Sequence, residues 1–153
     1  MTYEALARET IDVVWTRGQV DRIPEFYTAD FKAHQPRPRV NWVGLPRLAS
    51  WTGHEGLREV VTAVRSVCPD YSETPQLVVA AGDMVAMRMI NRGTHTGRPV
   101  GRFQPSGKSF EVVDTMFVRI VDGKIAEQWG LFDQYSVCVQ LGFMEPSELQ
   151  SGS

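Results

Sequence analysis

The chain has 153 residues, 42% of them hydrophobic and 22% charged, with a formal net charge of −2. Those values suit one soluble globular domain with a packed core. They exclude a basic stripe of the kind that holds nucleic acid, and no run of about 18 apolar residues exists that would cross a membrane.

Read in chain order, Ala7, Ile11, Val14, Trp15 and Gly18 recur at helical spacing and mark a first helix. The opening MTYEALARET lacks the basic start and apolar run of a secretory signal. A short second helix is expected from Asp21 to about Ala29, with Pro24 in its first turn. Asp30 to Gln35 reads as a strand. Gln35 to Thr52 is long for a plain connection; its prolines and its two tryptophans, Trp42 and Trp51, mark it as a lid. Arg37, Arg39 and Arg47 fall in this loop, broken by prolines, and read as loop residues rather than a phosphate site.

Thr52-Gly-His-Glu55 has the spacing of a capping box and opens a third helix. Leu57, Val60, Val61 and Val64 form its buried stripe, and Pro69 ends it. Strands are then expected at Gln76–Ala81, Met84–Arg92, Ser109–Val121 and Lys124–Asp133. Gly93 to Lys108 is rich in turn residues, and Asp122-Gly123 is a two-residue hairpin signal. A last helical stretch, Gln134–Leu141, stops at Gly142. Helices first and hairpins after make an α+β pattern. The expectation is a curved antiparallel sheet with helices covering one face, leaving a cavity at the open end. Residues 1–146 form the single domain and 147–153 a disordered tail. Cys68 and Cys138 lie far apart, with neither metal spacing nor a disulfide framework, which fits a reduced cytoplasmic setting.

Some residues carry chemical weight. Simple alternation puts Ile125, Glu127, Trp129, Leu131 and Asp133 on one strand face. A carboxylate on such an apolar face has its pKa raised and can take and return a proton near neutrality. Asp133 can equally cap the helix that follows it. Asp114 lies among Val112, Val113, Met116 and Val118, and either lines a pocket or pairs with Arg119 or Arg88. Glu127 reads as a structural ion pair, His95 as a turn-holding residue and His54 as a solvated residue of the helix cap. Trp15, Tyr27, Trp51, Met116, Phe117 and Trp129 can wall a site for a small hydrophobic, polycyclic ligand, with Trp42 from the lid; core packing is the plainer role of each. No nucleophile elbow, P-loop or dinucleotide fingerprint occurs. Both faces of Ser109–Val121 are mainly apolar, more than one set of helices can cover, so a homodimer through the outer face is expected.

Several stretches resemble the SnoaL-like polyketide cyclase family of the NTF2-like superfamily. They are FYTADFKAHQP from Phe26, GHEGLREVVTAVRSVCPDY from Gly53, AAGDMVAMR from Ala80, GTHTG, PSGK, DGKIAEQW from Asp122, then Asp133 and QLG. The resemblance implies a cone-shaped α+β barrel without metal or organic cofactor. It implies that Asp133 is the catalytic aspartate and that His34 matches a histidine of the early strand. The function expected is cofactor-independent, aldol-type ring closure of a hydrophobic carbonyl substrate of polyketide type. Asp133 acts as base, His34 supports the enolate, and Asp114 is a third candidate. Isomerisation, dehydration or another cyclisation on the same fold, and non-catalytic ligand carriage, are the alternatives.

Overall fold

The computed structural model describes residues 1–35, 40–45 and 51–146. Helix α1, Tyr3–Thr10, is capped by Thr2, whose hydroxyl accepts the Ala5 N–H at 3.1 Å. Instead of continuing as a plain helix, the chain widens into a π-helical segment, Ile11–Thr16, that buries Val13, Val14 and Trp15. A 3₁₀ turn at Val20–Arg22 leads into the short α2, Ile23–Phe26, with Pro24 in its first turn. Strand β1, Tyr27–His34, begins where more helix was expected, because aromatic and β-branched residues here pair with a neighbouring strand. Thr52 precedes α3, Gly53–Val67, but its hydroxyl takes no capping hydrogen bond. It instead bridges Lys32 of β1 in extended backbone.

Strands β2, Ser72–Ala81, β3, Met84–Thr94, β4, Ser109–Val121, and β5, Lys124–Phe132, complete a five-stranded sheet. Its order is β1-β5-β4-β3-β2. The three hairpin pairs are antiparallel, while β1 runs parallel to β5. The sheet is therefore mixed, and it does not close into a barrel. Helix α4, Gln134–Gln140, follows β5 directly. The fold is the expected α+β type, with α3 against β1, the π-helical segment against β2 and α4 against β4. Arg37, Arg39, Arg47 and the tail 147–153 lie outside the described residues, as does half of the expected lid. No helix among the described residues is long and apolar enough to cross a membrane.

Two details set which side chains face the helices. Asp122 and Gly123 both adopt positive φ, 49° and 74°, the hairpin geometry that matches strand twist, and this fixes Val121 opposite Lys124. One step later the register slips: Ile120 faces Ile125, but Arg119 faces Glu127, leaving Ala126 as a bulge. Alternation along β5 therefore resets. Ile125, Gln128, Gly130 and Phe132 share the inner side of the sheet, opposite the inner residues of β4. Glu127, Trp129 and Leu131 point outward with Phe117, and in the single chain Leu131 is 65% and Phe117 48% exposed.

The Gly93–Lys108 segment is locked to α3 by backbone hydrogen bonds and by Arg98, whose Nε–H donates to Ser66 Oγ at 2.8 Å. The Gly97 N–H donates to the Val67 carbonyl at 3.0 Å, and a Cβ on Gly97 would lie 1.9 Å from the Ser66 carbonyl oxygen. His95 is fully buried in the same segment, its ring N–H donating to the Arg98 carbonyl at 2.9 Å. Gly97→Ala forces two backbones apart and is expected to destabilise the chain by about 2 kcal/mol, lowering Tm by about 6 °C. A thermal melt within about 1 °C of the parent would contradict that packing.

Candidate active site

Three neighbouring strands each place one polar residue on the mainly apolar inner face. Glu73 of β2 stands directly opposite Asn91 of β3, and Asp114 of β4 lies diagonally beside Asn91. All three are buried, as is Tyr71, just ahead of β2. The Tyr71 hydroxyl donates to Glu73 Oε1 at 2.7 Å. The Asn91 amide donates to the Tyr71 oxygen at 3.2 Å and to Asp114 Oδ2 at 3.0 Å. One tyrosine and one asparagine thus wire two carboxyl groups together.

Neither carboxyl forms an ion pair among the described residues. Burial raises the pKa of Asp114 to about 6, against the pull of the Asn91 amide and the Thr115 N–H. Burial, and then the charge on Asp114, pushes Glu73 up to about 8. The pair therefore carries close to one negative charge near neutrality, with the proton mainly on Glu73. Glu73 Oε2, Asp114 Oδ1, Asn91 Oδ1 and Gln128 Oε1 are buried without a hydrogen-bond partner among the described residues. Buried polar atoms are nearly always paired, so these four point to something that binds.

Glu73, Asp114, Tyr71 and Gln128 line a cavity of about 70 Å³ that opens to solvent. Its walls are Trp15, Trp42, Trp51, Val60, Val64, Met116 and Phe132, with the amides of Gln35, Asn41 and Gln134 among them. The Trp15 indole N–H is fixed by donating to the Tyr27 hydroxyl at 2.9 Å, and its ring lies 5.6 Å from that of Trp51. Trp42 packs against Phe110 and Phe132 at 5.5 and 5.8 Å and also walls a second apolar recess with Val100, Phe103, Cys138, Phe143 and Met144.

The residues expected from sequence divide sharply. Asp114, Trp15, Trp51 and Met116 line the cavity, and Trp42 joins them. Asp114 pairs with neither Arg119, which bonds Asp83 and Glu127, nor Arg88, which bonds Gln76. Tyr27 is buried behind Trp15 and does not line the cavity. Phe117 and Trp129 stand on the outer face, in a shallow recess with His34. His34 bonds Glu127 at 2.8 Å and stacks on Trp129 at 5.0 Å, so it sits on the far side of the sheet from the carboxyl pair. Asp133 is exposed and caps α4, its Oδ1 accepting the Ser136 N–H at 3.0 Å. The expectation that Asp133 and His34 share one cavity is not met. The bulge at Ala126 is the reason, because it turns Glu127, Trp129 and Leu131 outward and ends the alternation that was to carry Asp133 inward.

Sequence reading missed Glu73, Tyr71, Asn91 and Gln128. Starting β2 at Gln76 left Tyr71 and Glu73 in a loop. A signal existed in β3, where Val85, Met87, Met89 and Asn91 alternate onto one buried face and end in a polar residue.

A SnoaL-like polyketide cyclase family model matches residues 5–141. No curated protein matches the chain at a significant level. Among solved structures, wild-type IdmH of Streptomyces antibioticus, described as a candidate polyketide cyclase, is 27% identical with a TM-score of 0.75, over 92% of this chain and 99% of that one. A candidate polyketide cyclase from Bacillus cereus is 25% identical with a TM-score of 0.70, over 91% and 79%. AclR of Streptomyces galilaeus, described as a candidate hydroxylase, shares the fold at 22% identity and a TM-score of 0.74, over 97% and 87%. With a model match spanning nearly all of the folded residues, the chain belongs to the SnoaL-like polyketide cyclase family.

Proposed function

We propose that this chain is a cofactor-independent cyclase acting by general acid–base chemistry on a hydrophobic carbonyl compound of polyketide type. The observation that carries the reading is a pair of wired, buried carboxyl groups lining an aromatic cavity. Ionised Asp114 removes a proton next to a carbonyl. Protonated Glu73 donates toward the carbonyl oxygen as negative charge moves there. The enolate carbon attacks a second carbonyl folded against it by the tryptophan walls, and the new alkoxide takes the abstracted proton back from Asp114, which returns the pair to its starting state. Net charge in the cavity stays constant, which suits a site without a paired cation. Holding both carbonyls together removes part of the entropy barrier to closure. A second reading, isomerisation or dehydration, draws on the same feature, since a base beside an acid can return the proton to a different atom.

Asp133 and His34 take positioning roles in this reading, at the start of α4 and on the outer face. The exposed outer apolar surface, with Leu131, Phe117, Leu77 and Val79, is proposed as the contact between two copies.

Three outcomes are expected. Deuterium uptake next to the carbonyl of 2-tetralone, followed by NMR, reports proton abstraction without knowledge of the natural substrate. Asp114→Asn is expected to lower that rate by about 100-fold, while Asp133→Asn, which keeps a capping side chain, stays within a few-fold. The reverse ranking, with circular dichroism unchanged, would remove Asp114 from the chemistry; no exchange by the parent protein would favour a carrier. The rate should rise with pH through about 6 as Asp114 ionises and fall through about 8 as Glu73 loses its proton; a flat profile across that window counts against the pair. Light scattering should give about twice 17.2 kDa, and Leu131→Glu should return a monomer; a parent protein already at 17.2 kDa defeats the dimer.

A further inference from the structure

Among the described residues, β2 is the last strand of the sheet, with no strand on its far side. At Glu73 that side is closed by one hydroxyl. Thr16 Oγ1 accepts the Glu73 N–H at 3.0 Å and donates to the Glu73 carbonyl at 3.1 Å. In an antiparallel pair the N–H and C=O of one residue point the same way, so both groups of Glu73 are turned away from Asn91 and toward the edge. The threonine hydroxyl makes both bonds that a further strand would make.

Thr16 is itself held. It ends the π-helical segment, and its carbonyl accepts from Arg65 Nη1 at 2.6 Å. The same guanidinium donates to the Tyr71 carbonyl and to the Pro69 carbonyl, each at 2.9 Å. Arg65 lies in the last turn of α3. Its planar fork has a fixed geometry, so it sets Thr16 and the start of β2 at one spacing. Tyr71 and Glu73 are thus each fixed by their backbones from outside the sheet, on either side of Ser72. Their side chains then meet at 2.7 Å. Neither Thr16 nor Arg65 lines the cavity, so their effect on the carboxyl passes through the backbone of β2.

We propose that Thr16, tied to α3 by Arg65, is a positioning residue: its hydroxyl holds the backbone of Glu73 so that the carboxyl stays against Tyr71 and beside Asp114. The proposal rests on the reading of Glu73 as the acid of this site. Without the hydroxyl, the Glu73 N–H and carbonyl lose their partners, and the strand start regains them by moving toward water. The carboxyl then loses burial and draws away from Asp114. Those are the two causes that raise its pKa, so the pKa falls.

Thr16→Val keeps the shape of the side chain and removes the hydroxyl, whereas Thr16→Ser keeps the hydroxyl. Titration of the carbon-13-labelled Glu73 carboxyl by NMR needs no substrate. Its midpoint, about 8 in the parent protein, is expected to fall by about one unit in Thr16→Val and to return in Thr16→Ser. At saturating 2-tetralone the exchange rate is expected to fall about 10-fold in Thr16→Val with KM within about two-fold. The falling limb of its pH profile should move down with the midpoint. A variant that lowers only Tm, with midpoint, rate and limb at the parent's values, overturns the proposal. If Thr16→Val does not fold, Arg65→Lys, which gives up the fork, should move the midpoint the same way; an unmoved midpoint there overturns it too. A parent protein that exchanges no proton, while Thr16→Val still shifts the midpoint, loses the reaction and keeps the placement, so the two failures are distinct.

Discussion

The hydrogen bonds from Tyr71 and Asn91 to Glu73 and Asp114 are the constraint around which this molecule is arranged. Taking two carboxyl groups out of water without a cation costs several kcal/mol if both stay charged. The chain meets that cost by keeping a proton on the pair and spending both amide hydrogens of Asn91 on its bridge. Four strand-borne or strand-adjacent residues must be in register for this to work. A one-residue slip in the pairing of β2 with β3 or of β3 with β4 would send Glu73 or Asp114 to the outer face and bring an apolar partner inward. The Ala81–Met84 turn and the β3–β4 register are therefore conditions of the carboxyl pair as well as of the fold.

The same argument explains the walls. Raised pKa values persist only while water is kept out, so the aromatic side chains act on the acids through the dielectric they create. The described middle of the expected lid is tied down accordingly. Asn41 bonds Leu45 from both ends of its amide, at 2.6 and 2.8 Å. Arg98 holds the Val43 carbonyl at 2.6 Å. Trp42, between these anchors, is buried against Phe110 and Phe132. A tryptophan read from sequence as part of a lid has joined the core, and it is the partition between the central cavity and the second recess.

Much of the fold was legible because it rests on local rules. Strand β4 has the expected limits, Ser109 and Val121, since a run of β-branched and aromatic residues and a strong turn bound it. Asp114 was legible as a lone carboxylate in that apolar run. Glu73 was not, because the Cys-Pro-Asp-Tyr stretch reads as a loop, and only pairing with β3 draws Ser72–Thr74 into a strand. Glu127, Gln128 and Trp129 were put on the wrong face by a single residue, Ala126. A bulge leaves no compositional mark, and alternation arguments fail silently beyond it. The parallel pairing of β1 with β5 is likewise a tertiary choice that no local pattern announces.

Asp133 shows how a residue can matter to a site without entering it. Its carboxylate caps the first turn of α4, receiving the Ser136 N–H where an anion also faces the helix dipole. The next residue, Gln134, lines the cavity and accepts the Val40 N–H at 2.9 Å. Cap, Gln134, Val40 and Trp42 thus form a continuous line from the helix start to the cavity wall. A cap is worth about 1 kcal/mol, small beside the stability of a domain, yet it is applied where the wall that keeps Asp114 dry is fastened. An aspartate after the last strand thus fastens, through Gln134 and Val40, the wall beside its buried counterpart on β4.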